Sequence, residues 1–481
     1  MDRRKFLGSA ASAAILASLG GISPRIFGAM AQTAQPDGFL SGGYAPVPDE
    51  LNIENLPVTG RIPPELAGVY RRNGPNPAFQ PLSYTYPLDG DGMVHAVRLG
   101  GGKAAYRNRY VATPELGAER RAGRALYHGV MRPIPPDPAL LPASAPPGPL
   151  KNVANTNIVR HAGKLLALYE AGMPYELGAD LGTNGTYDFA GKLSGSMTAH
   201  PFLDPVSGEM VFFRYRGTAP LLTLYVVDRD GRISAQRDID TGVPYIIHDF
   251  AVTERRIVFV LVPVVIDPAG PRERRPPIAW QPQLGTRIAV LDRAAMDGPI
   301  TWLDAEPFFM FHFLNAYDER DAVVIDYVRF PHFVPFGGEN LPRLKRMVIA
   351  GRSIEHTAID SPNVEFPRID DRRRGLKHRI GYAMASIDGR RGAIARFDRD
   401  AGGVSLHDFG PDKEADEPVF APRSPDAGET DGWVMTFVYD RASDRSDFVL
   451  LDARDFMAPP VATVHLPRRV PHGFHGNWMA A

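Results

Sequence analysis

Four short stretches decide the fold of this chain: SMTAHPFLDP (196–205), YIIHDFAVTE (245–254), FHFLNAYDE (311–319) and PHGFHGNW (471–478). Each stretch carries a histidine in an apolar or aromatic setting, and these four are His200, His248, His312 and His475; the last stretch also contains His472. They are separated by 48, 64 and 163 residues, so no single helix or loop can gather them. Only a closed fold that brings distant strands together can do so.

Four histidines in such settings point to a metal centre. Neutral imidazoles suit Fe, Zn, Cu or Ni, and four of them leave an octahedral ion with two free positions, which suits oxygen chemistry. Taken singly, a histidine is more often a surface or core residue, so local context decides. Gly473 and Gly476 flank His475, where we expect a close approach of the backbone. The other histidines are interpreted as structural or exposed: His95, His128, His161, His332, His356, His378, His407, His465 and His472.

Three glutamates lie in similarly apolar settings. Glu170 ends the run LLALYE, Glu365 lies in NVEFPRID and Glu417 lies in ADEPVFAPRSPD. A glutamate at the end of a buried strand needs a hydrogen-bond donor to offset its desolvation. Metal-bound imidazoles usually donate their second N–H to a carboxylate or carbonyl. We therefore predict that these three glutamates accept hydrogen bonds from the histidines and act as their outer partners.

The rest of the chain reads as short apolar strands separated by turns. KLLALYEAG (164–172), LLTLYVVDRDGRI (221–233) and DGWVMTFVYD (431–440) are typical, and the chain holds 47 Gly and 46 Pro. Strand groups recur roughly every 50 residues, and each group is too small to bury its own faces. This pattern favours the blades of a β-propeller over a pair of β-sandwiches.

Composition excludes several functional classes. The 481 residues are 44% hydrophobic and 23% charged, with a net charge of −1. The sequence contains no basic stripe that could bind a nucleic-acid backbone, so no nucleic-acid partner is expected. The absence of cysteine excludes disulfides, thiolate metal sites and cysteine nucleophiles.

Several other features have simple interpretations. DGDG (89–92) is read as a hairpin turn, and RNGPNP (72–77) as backbone geometry set by Gly74 and two prolines. Arg372 to Arg374 are expected to form a solvated loop. The proline-dense stretch 131–150 is expected to be a linker or an apolar segment outside the main fold.

The sequence resembles the carotenoid cleavage oxygenase family along essentially the whole chain after residue 31. The motifs that carry the resemblance are GVYRRNGPNP (68–77), LDGDGMVHAV (88–97), ANTN (154–157), LYEAGMPYEL (168–177), AHPFLDPVSGEM (199–210), HDFAVTE (248–254), FHFLNAYDE (311–319), EFPRID (365–370), EPVFAPRSPD (417–426) and GFHGNW (473–478).

The resemblance implies an all-β fold, a seven-bladed β-propeller with the metal on its central axis and with loops and short helices capping one face. It implies a single oxygenase domain over residues 32–481. By motif, His200, His248, His312 and His475 match the family's iron ligands, and Glu170, Glu365 and Glu417 match its outer glutamates. Thr156 matches a side chain that crowds one remaining position of the ion.

The implied function is that of a non-haem Fe(2+) dioxygenase that cleaves a carbon–carbon double bond of a carotenoid or apocarotenoid to two carbonyl products. Its partners would be a small apolar conjugated alkene and O2, with peripheral contact to a membrane surface and no organic cofactor. Two alternatives remain open: a dioxygenase for stilbenoid or phenylpropanoid alkenes, and a non-catalytic exported propeller with a structural metal.

Two positions bear on the choice of substrate. In the stilbene-cleaving subgroup, a lysine and a tyrosine are expected to hold the phenol of the substrate. The place of the lysine, directly before Glu170, holds Tyr169 here, and the place of the tyrosine matches Val130. A phenol would therefore lose a cationic partner, which favours an apolar polyene.

Residues 1–31 read as a twin-arginine signal peptide that directs export to the periplasm. Arg3 and Arg4 precede Lys5, Phe6 and Leu7, and an alanine-rich apolar stretch follows. That stretch is short of the roughly 20 apolar residues that span a bilayer.

Export is therefore expected to depend on the arginine pair. Changing both Arg3 and Arg4 to lysine should leave the precursor in the cytoplasm, as measured by fractionation and immunodetection. Unchanged appearance of the mature protein outside the inner membrane would indicate general secretion instead.

Overall fold

The computed structural model describes residues 38–84, 87–142, 148–267, 269–273, 275–333 and 341–481. Within these ranges the chain forms a seven-bladed β-propeller, which confirms the predicted fold. The predicted signal peptide, residues 1–31, lies outside the described residues. None of the helices in the described ranges is both long and apolar enough to span a bilayer.

Five blades are each built from one stretch of chain as a four-stranded antiparallel sheet. Blade 2 contains Asn157–His161, Lys164–Leu168, Tyr175–Leu177 and Thr183–Thr186. Blade 3 contains Phe202–Leu203, Met210–Tyr215, Leu222–Val227 and Ile233–Ile239. Blade 4 contains Ala251–Val252, Arg256–Leu261, Thr286–Asp292 and Thr301–Ala305. Blade 5 contains Phe313–Glu319, Ala322–Arg329, Arg343–Ala350 and Ser353–Ala358. Blade 6 contains Val364–Ile369, Ile380–Ile387, Arg390–Asp398 and Val404–Asp408.

Blades 1 and 7 combine strands from both ends of the chain and so close the ring. In blade 1 the strand order is Gly476–Ala480, Gly68–Pro75, Gly92–Gly100, Lys103–Tyr110 and Asn52–Ile53. In blade 7, Lys413–Ala415 and Val419–Pro422 both pair with Gly432–Asp440, which is followed by Arg445–Asp452, Ala462–His465 and Val58–Gly60.

The remaining elements are short. Val264–Ile266 and Ile278–Trp280 form a two-stranded sheet inserted in blade 4. The α-helix Pro114–Ala122 begins after Thr113, whose side chain accepts a hydrogen bond from Leu116 N, and ends at Gly123 in a left-handed conformation. The 3₁₀ turns are Gly38–Leu40, Gly42–Tyr44, Pro87–Asp89, Pro138–Leu140, Gly270–Glu273, Pro282–Leu284 and Asp371–Arg373.

Burial follows the position of each strand in its blade. The inner strands are apolar on both faces because they pack between neighbouring blades, as in Leu222–Val227 and Gly432–Asp440. The outermost strands alternate or are exposed, as in Ile233–Ile239 and Ser353–Ala358. The hydrophobic core is accordingly a series of layers between adjacent sheets.

The RNGPNP motif has a larger structural role than predicted. Its first four residues lie in the strand Gly68–Pro75. The fully buried amide of Asn73 donates to the carbonyls of Ala154 (2.8 Å) and Asn157 (3.0 Å), and so joins blade 1 to blade 2. The motif is therefore a bridge between blades.

Asn73→Ala should lower the free energy of unfolding by about 1–3 kcal/mol, because two buried carbonyls lose their donor. Equilibrium urea unfolding measures this change. Asn52→Ala is the control, since Asn52 is exposed on the outermost strand of the same blade, and it should change stability by less than about 0.5 kcal/mol. Equal effects of both substitutions would contradict the bridging role.

Candidate metal centre

Four different blades supply the four predicted histidines. His200 and His248 lie just before the first strands of blades 3 and 4, Phe202–Leu203 and Ala251–Val252. His312 directly precedes Phe313–Glu319 of blade 5, and His475 directly precedes Gly476–Ala480 of blade 1. All four strands lie at one edge of their sheets. The propeller therefore gathers the entry points of these strands around one centre.

The imidazoles converge through one ring nitrogen each. One candidate ligand atom from each histidine lies within 4.8 Å of all the others. Nε2 of His248 is 3.1 Å from Nε2 of His200 and 3.2 Å from Nε2 of His312. The ring of His475 lies 4.5 Å from that of His200, centroid to centroid. This geometry forms a four-imidazole group that can hold one metal ion.

Three of the histidines are oriented by the three predicted glutamates. Nδ1–H of His248 donates to Glu170 (2.5 Å), that of His312 to Glu365 (2.6 Å) and that of His475 to Glu417 (2.8 Å). A proton on Nδ1 leaves the lone pair of Nε2 free for a metal. The structure therefore pairs the two predicted sets of residues one to one, except at His200.

Each glutamate is held by a second contact that sequence analysis did not find. Oε1 of Glu170 accepts from the Tyr215 hydroxyl (2.7 Å), and Glu365 accepts from the backbone N–H of Phe366. Oε2 of Glu417 accepts from Gly476 N (2.7 Å) and from the Arg368 guanidinium (3.1 Å). No sequence signal marks Tyr215 or Arg368, because each contact joins residues far apart in the chain.

Electrostatics favour the neutral form of two of the four imidazoles, those of His200 and His475. Burial lowers the pKa of His475 to about 4, and burial together with the other imidazoles holds the pKa of His200 well below its usual value. For His312 burial also acts to lower the pKa, but the Glu365 carboxylate outweighs it and raises the pKa. Burial raises the pKa of Glu417, yet Arg368 and His475 outweigh it and lower that pKa.

The donor set fits a transition metal that prefers imidazole. Four nitrogens with three hydrogen-bonded carboxylates behind them match the ligands of Fe, Zn, Cu or Ni, and the described chain has no thiolate to favour a softer ion. A closed structural zinc site would normally be a compact tetrahedron with cysteine common among its ligands.

Two glycines next to His475 make room for this arrangement, as expected. A Cβ on Gly473 would lie 2.6 Å from the guanidinium carbon of Arg72, and one on Gly476 would lie 2.5 Å from the Tyr70 hydroxyl. Any larger residue would push the strand away from the centre.

Thr156 lies at the start of blade 2 beside the histidine group. Its carbonyl accepts from the backbone N–H of His475 (3.1 Å), and its hydroxyl donates to Asn155 Oδ1 (3.0 Å). Asn157, the next residue, donates to the carbonyl of Ala199 (2.8 Å), directly before His200. The ANTN motif thus positions the backbones of two of the histidines.

His472, three residues before His475, belongs to a different cluster. Its Nδ1 pairs with Asp416 and its Nε2 with Glu414, each at 2.8 Å, and Arg72 also pairs with Asp416. Both ring nitrogens are therefore engaged with carboxylates away from the metal group. This outcome agrees with its interpretation as a structural residue.

Two cavities border the histidine group, and they differ in character. The first, about 330 Å³, reaches His200, His312 and His475 and is lined by charged and other polar side chains together with apolar ones; it is called the polar cavity. The second, about 90 Å³, reaches His248 and is walled by apolar side chains: Leu88, Val130, Met131, Ile246, Val260, Val262, Val264, Ile278, Phe309, Met310, Phe311 and Phe333. Val130 therefore lines the apolar cavity, whereas the buried Tyr169 is not among its lining residues.

One simple interpretation from the sequence is wrong and another is incomplete. Arg373 is exposed, as expected, but Arg372 and Arg374 are only partly so: Arg372 pairs with Asp370 and donates to the carbonyls of Ser424, Pro425 and Ala427, and both Arg372 and Arg374 line the polar cavity. DGDG is not a tight hairpin turn, since Pro87–Asp89 is a 3₁₀ turn and Asp89 accepts from the backbone N–H of Val130. In both places, tertiary contacts give the polar groups partners that local sequence cannot show.

With this geometry established, a family model described as retinal pigment epithelial membrane protein matches residues 44–480. The same chain is 33% identical to carotenoid 9,10(9′,10′)-cleavage dioxygenase 1 of Phaseolus vulgaris over 92% of this chain and 89% of the relative.

The chain belongs to the carotenoid cleavage oxygenase family. It is also 32% identical to isoeugenol monooxygenase of Pseudomonas nitroreducens, over 94% of this chain and 99% of that protein. The crystal structure of Pseudomonas brassicacearum lignostilbene dioxygenase superimposes with a TM-score of 0.86 at 30% identity, over 94% of this chain and 99% of that one. Carotenoid cleavage oxygenases are metal-dependent, and this member is a dioxygenase-type oxidoreductase that cleaves alkenes oxidatively.

Replacing His200, His248, His312 or His475 singly by alanine should abolish activity and strongly reduce bound metal, measured as moles of metal per mole of folded protein. His472→Ala is the matched control: it should lower stability, because Asp416 and Glu414 lose a partner, yet keep the metal. Loss of the metal in His472→Ala with retention in His475→Ala would show that the C-terminal ligand is misassigned.

Glu170→Ala, Glu365→Ala and Glu417→Ala should each weaken metal binding or turnover by about 10- to 100-fold, because the imidazole loses its orienting acceptor. Tyr215→Phe should have a smaller effect than Glu170→Ala, since it removes only the second contact of Glu170. Glu176→Ala is the control, because Glu176 lies in the same blade as Glu170 and pairs with Lys164 at the surface. Full metal binding and turnover in all three glutamate variants would reject their role.

Proposed function

We propose that this protein is a non-haem Fe(II) dioxygenase that cleaves a carbon–carbon double bond of a carotenoid or apocarotenoid to two carbonyl products. The observation that carries the proposal is the apolar cavity beside His248, whose walls are almost entirely aliphatic and aromatic. Such a cavity suits the part of a hydrocarbon polyene that lies next to the metal, where most of the binding free energy comes from burial of apolar surface.

The chain's own residues would bind, orient and dry the substrate. His200, His248, His312 and His475 would hold the iron, which supplies the activation of dioxygen when bound. The ring of Phe311 packs edge-on against His248 at 5.1 Å between centroids, and against Phe309 at 4.6 Å. This aromatic wall would hold one double bond of the polyene next to the metal and exclude water from it. We further propose that Thr156 limits access to one position of the ion.

The principal alternative is a stilbenoid or phenylpropanoid alkene. The likeness to lignostilbene dioxygenase and isoeugenol monooxygenase favours it. Against it, the described lining of the apolar cavity contains no lysine, arginine or tyrosine to hold a phenol, and Val130 faces the cavity instead. The acidic groups of that lining, Glu170 and Asp249, are held by hydrogen bonds with His248, Tyr215 and backbone N–H groups. The third reading, a non-catalytic propeller, is set aside by the family assignment.

We also propose a peripheral contact with a membrane surface and export by the twin-arginine route. The proline-dense stretch exposes large apolar side chains at Ile134, Leu140 and Leu150, and Leu82 is also exposed. Val130 and Met131, at the start of that stretch, line the apolar cavity. A substrate dissolved in lipid would therefore reach the cavity near an apolar surface.

The test is a comparison of kcat/KM for an apocarotenoid and a 4-hydroxystilbene with iron-loaded protein. A charge-assisted hydrogen bond is worth roughly 1.5–3 kcal/mol, so its absence should disfavour the stilbene by one to two powers of ten.

With labelled dioxygen, both product carbonyls should carry the label once exchange with water is controlled. Label in one product alone would indicate a monooxygenase route.

A matched pair of variants tests the apolar cavity itself. Val130→Asn should lower kcat/KM for the apocarotenoid about tenfold or more, because it buries an unpaired amide against the hydrocarbon. Val206→Asn should have no effect, since Val206 is 73% exposed. Efficient cleavage of the hydroxystilbene without any cleavage of apocarotenoids would reject the proposal in favour of the alternative.

A further inference from the structure

His200 differs from the other three histidines in its second ring nitrogen. Nε2 of His200 points at the centre, 3.1 Å from Nε2 of His248. In a neutral ring that binds a metal through Nε2, the proton must therefore lie on Nδ1. The other three rings donate this N–H to glutamates, but among the described residues no acceptor lies within hydrogen-bond distance of Nδ1 of His200. A metal-bound histidine almost always has such an acceptor.

The side chain of His200 lies in the wall of the polar cavity. The cavity measures about 330 Å³, whereas one water occupies about 30 Å³ in the liquid. It can therefore hold a small polyatomic ligand together with several waters. Asn157 and Asn477 add further polar groups to its wall.

Arg374 lies in the same wall, next to His200. Its Nη2 is 3.4 Å from the carbonyl of Pro201, the residue that follows His200, and its guanidinium lies over the ring of Phe202. Within the described part of the chain, no carboxylate forms an ion pair with Arg374. Burial lowers the pKa of Arg374, and the nearby carboxylates of Asp371 and Asp249 offset this effect only in part.

The other arginines of the cavity are already paired. Arg368 binds Glu417 and Asp371, and Arg372 binds Asp370.

The remaining acids of the wall are engaged as well. Asp204 pairs with Arg293, and Asp249 accepts from the backbone N–H groups of Phe250 and Phe313. Asp371, Asp249 and Glu417 therefore act on Arg374 only through longer-range charge interactions, and none of them forms an ion pair with it.

We propose that the polar cavity binds a small oxyanion, of the carboxylate or bicarbonate class, between the Nδ1–H of His200 and the guanidinium of Arg374. The anion would accept hydrogen bonds from both groups. It would orient the ring of His200 by accepting its Nδ1–H, as the glutamates do for the other three rings. Water could accept these hydrogen bonds but would leave Arg374 without an ion-pair partner. The oxyanion would thus complete the outer partners of the metal centre.

The test measures anion binding rather than turnover, so it can fail independently of the proposed reaction. The metal-loaded protein is titrated with sodium formate by isothermal titration calorimetry, and sodium chloride at equal ionic strength is the reference. We expect one saturable formate site per chain. Arg374→Gln should weaken formate binding by about 10- to 100-fold, and Arg374→Lys should keep most of it.

Arg373→Gln is the control for charge, because Arg373 is adjacent in sequence, is exposed and is not among the lining residues of the cavity. It should bind formate like the unchanged protein. Absence of saturable binding above the chloride reference would mean that the cavity holds water only. Unchanged formate binding in Arg374→Gln would mean that the anion binds the metal directly. Either result overturns the proposal.

Discussion

Antiparallel pairing between Gly68–Pro75 and Gly476–Ala480 closes the propeller, and the rest of the structure depends on it. His475 directly precedes the second of these strands, so the hydrogen bonds that close the ring also bring the fourth imidazole to the centre. The carbonyl of His475 accepts from Asn73 N (3.0 Å), and its N–H donates to Thr156 (3.1 Å). A metal bound by four blades would stabilise this closure further, because it binds only the folded state.

The same rule applies around the whole ring. Each blade places a residue from the beginning of its first strand, or just before it, near the centre, and in blade order these are His475, Thr156, His200, His248, His312, Glu365 and Glu417. A radial arrangement of sheets makes this possible, because the strand nearest the axis enters from the same side in every blade. Four positions supply the imidazoles of the candidate metal site and two supply carboxylates. The third carboxylate, Glu170, follows the second strand of blade 2.

Burial of the glutamates beside the histidines is tolerated because each of them accepts at least two hydrogen bonds. A buried carboxylate without donors would be costly, and Glu417 alone receives hydrogen bonds from His475, Gly476 and Arg368. The site also separates two environments: apolar walls meet it on the side of His248, and charged side chains meet it on the side of His200. The two cavities therefore offer an apolar and a more polar surface beside the same centre.

The sequence by itself determined the strand-rich class of the fold, the four histidines and the three glutamates, because residue type and local apolar context carry that information. Only the tertiary structure decided which glutamate pairs with which histidine, and that His200 has none. It also showed that Asn73 bridges two blades, that Tyr215 and Arg368 hold two of the glutamates, and that Arg374 lines a cavity. These facts depend on distances between residues far apart in the chain, and such distances are set by the packing of whole blades rather than by any local pattern.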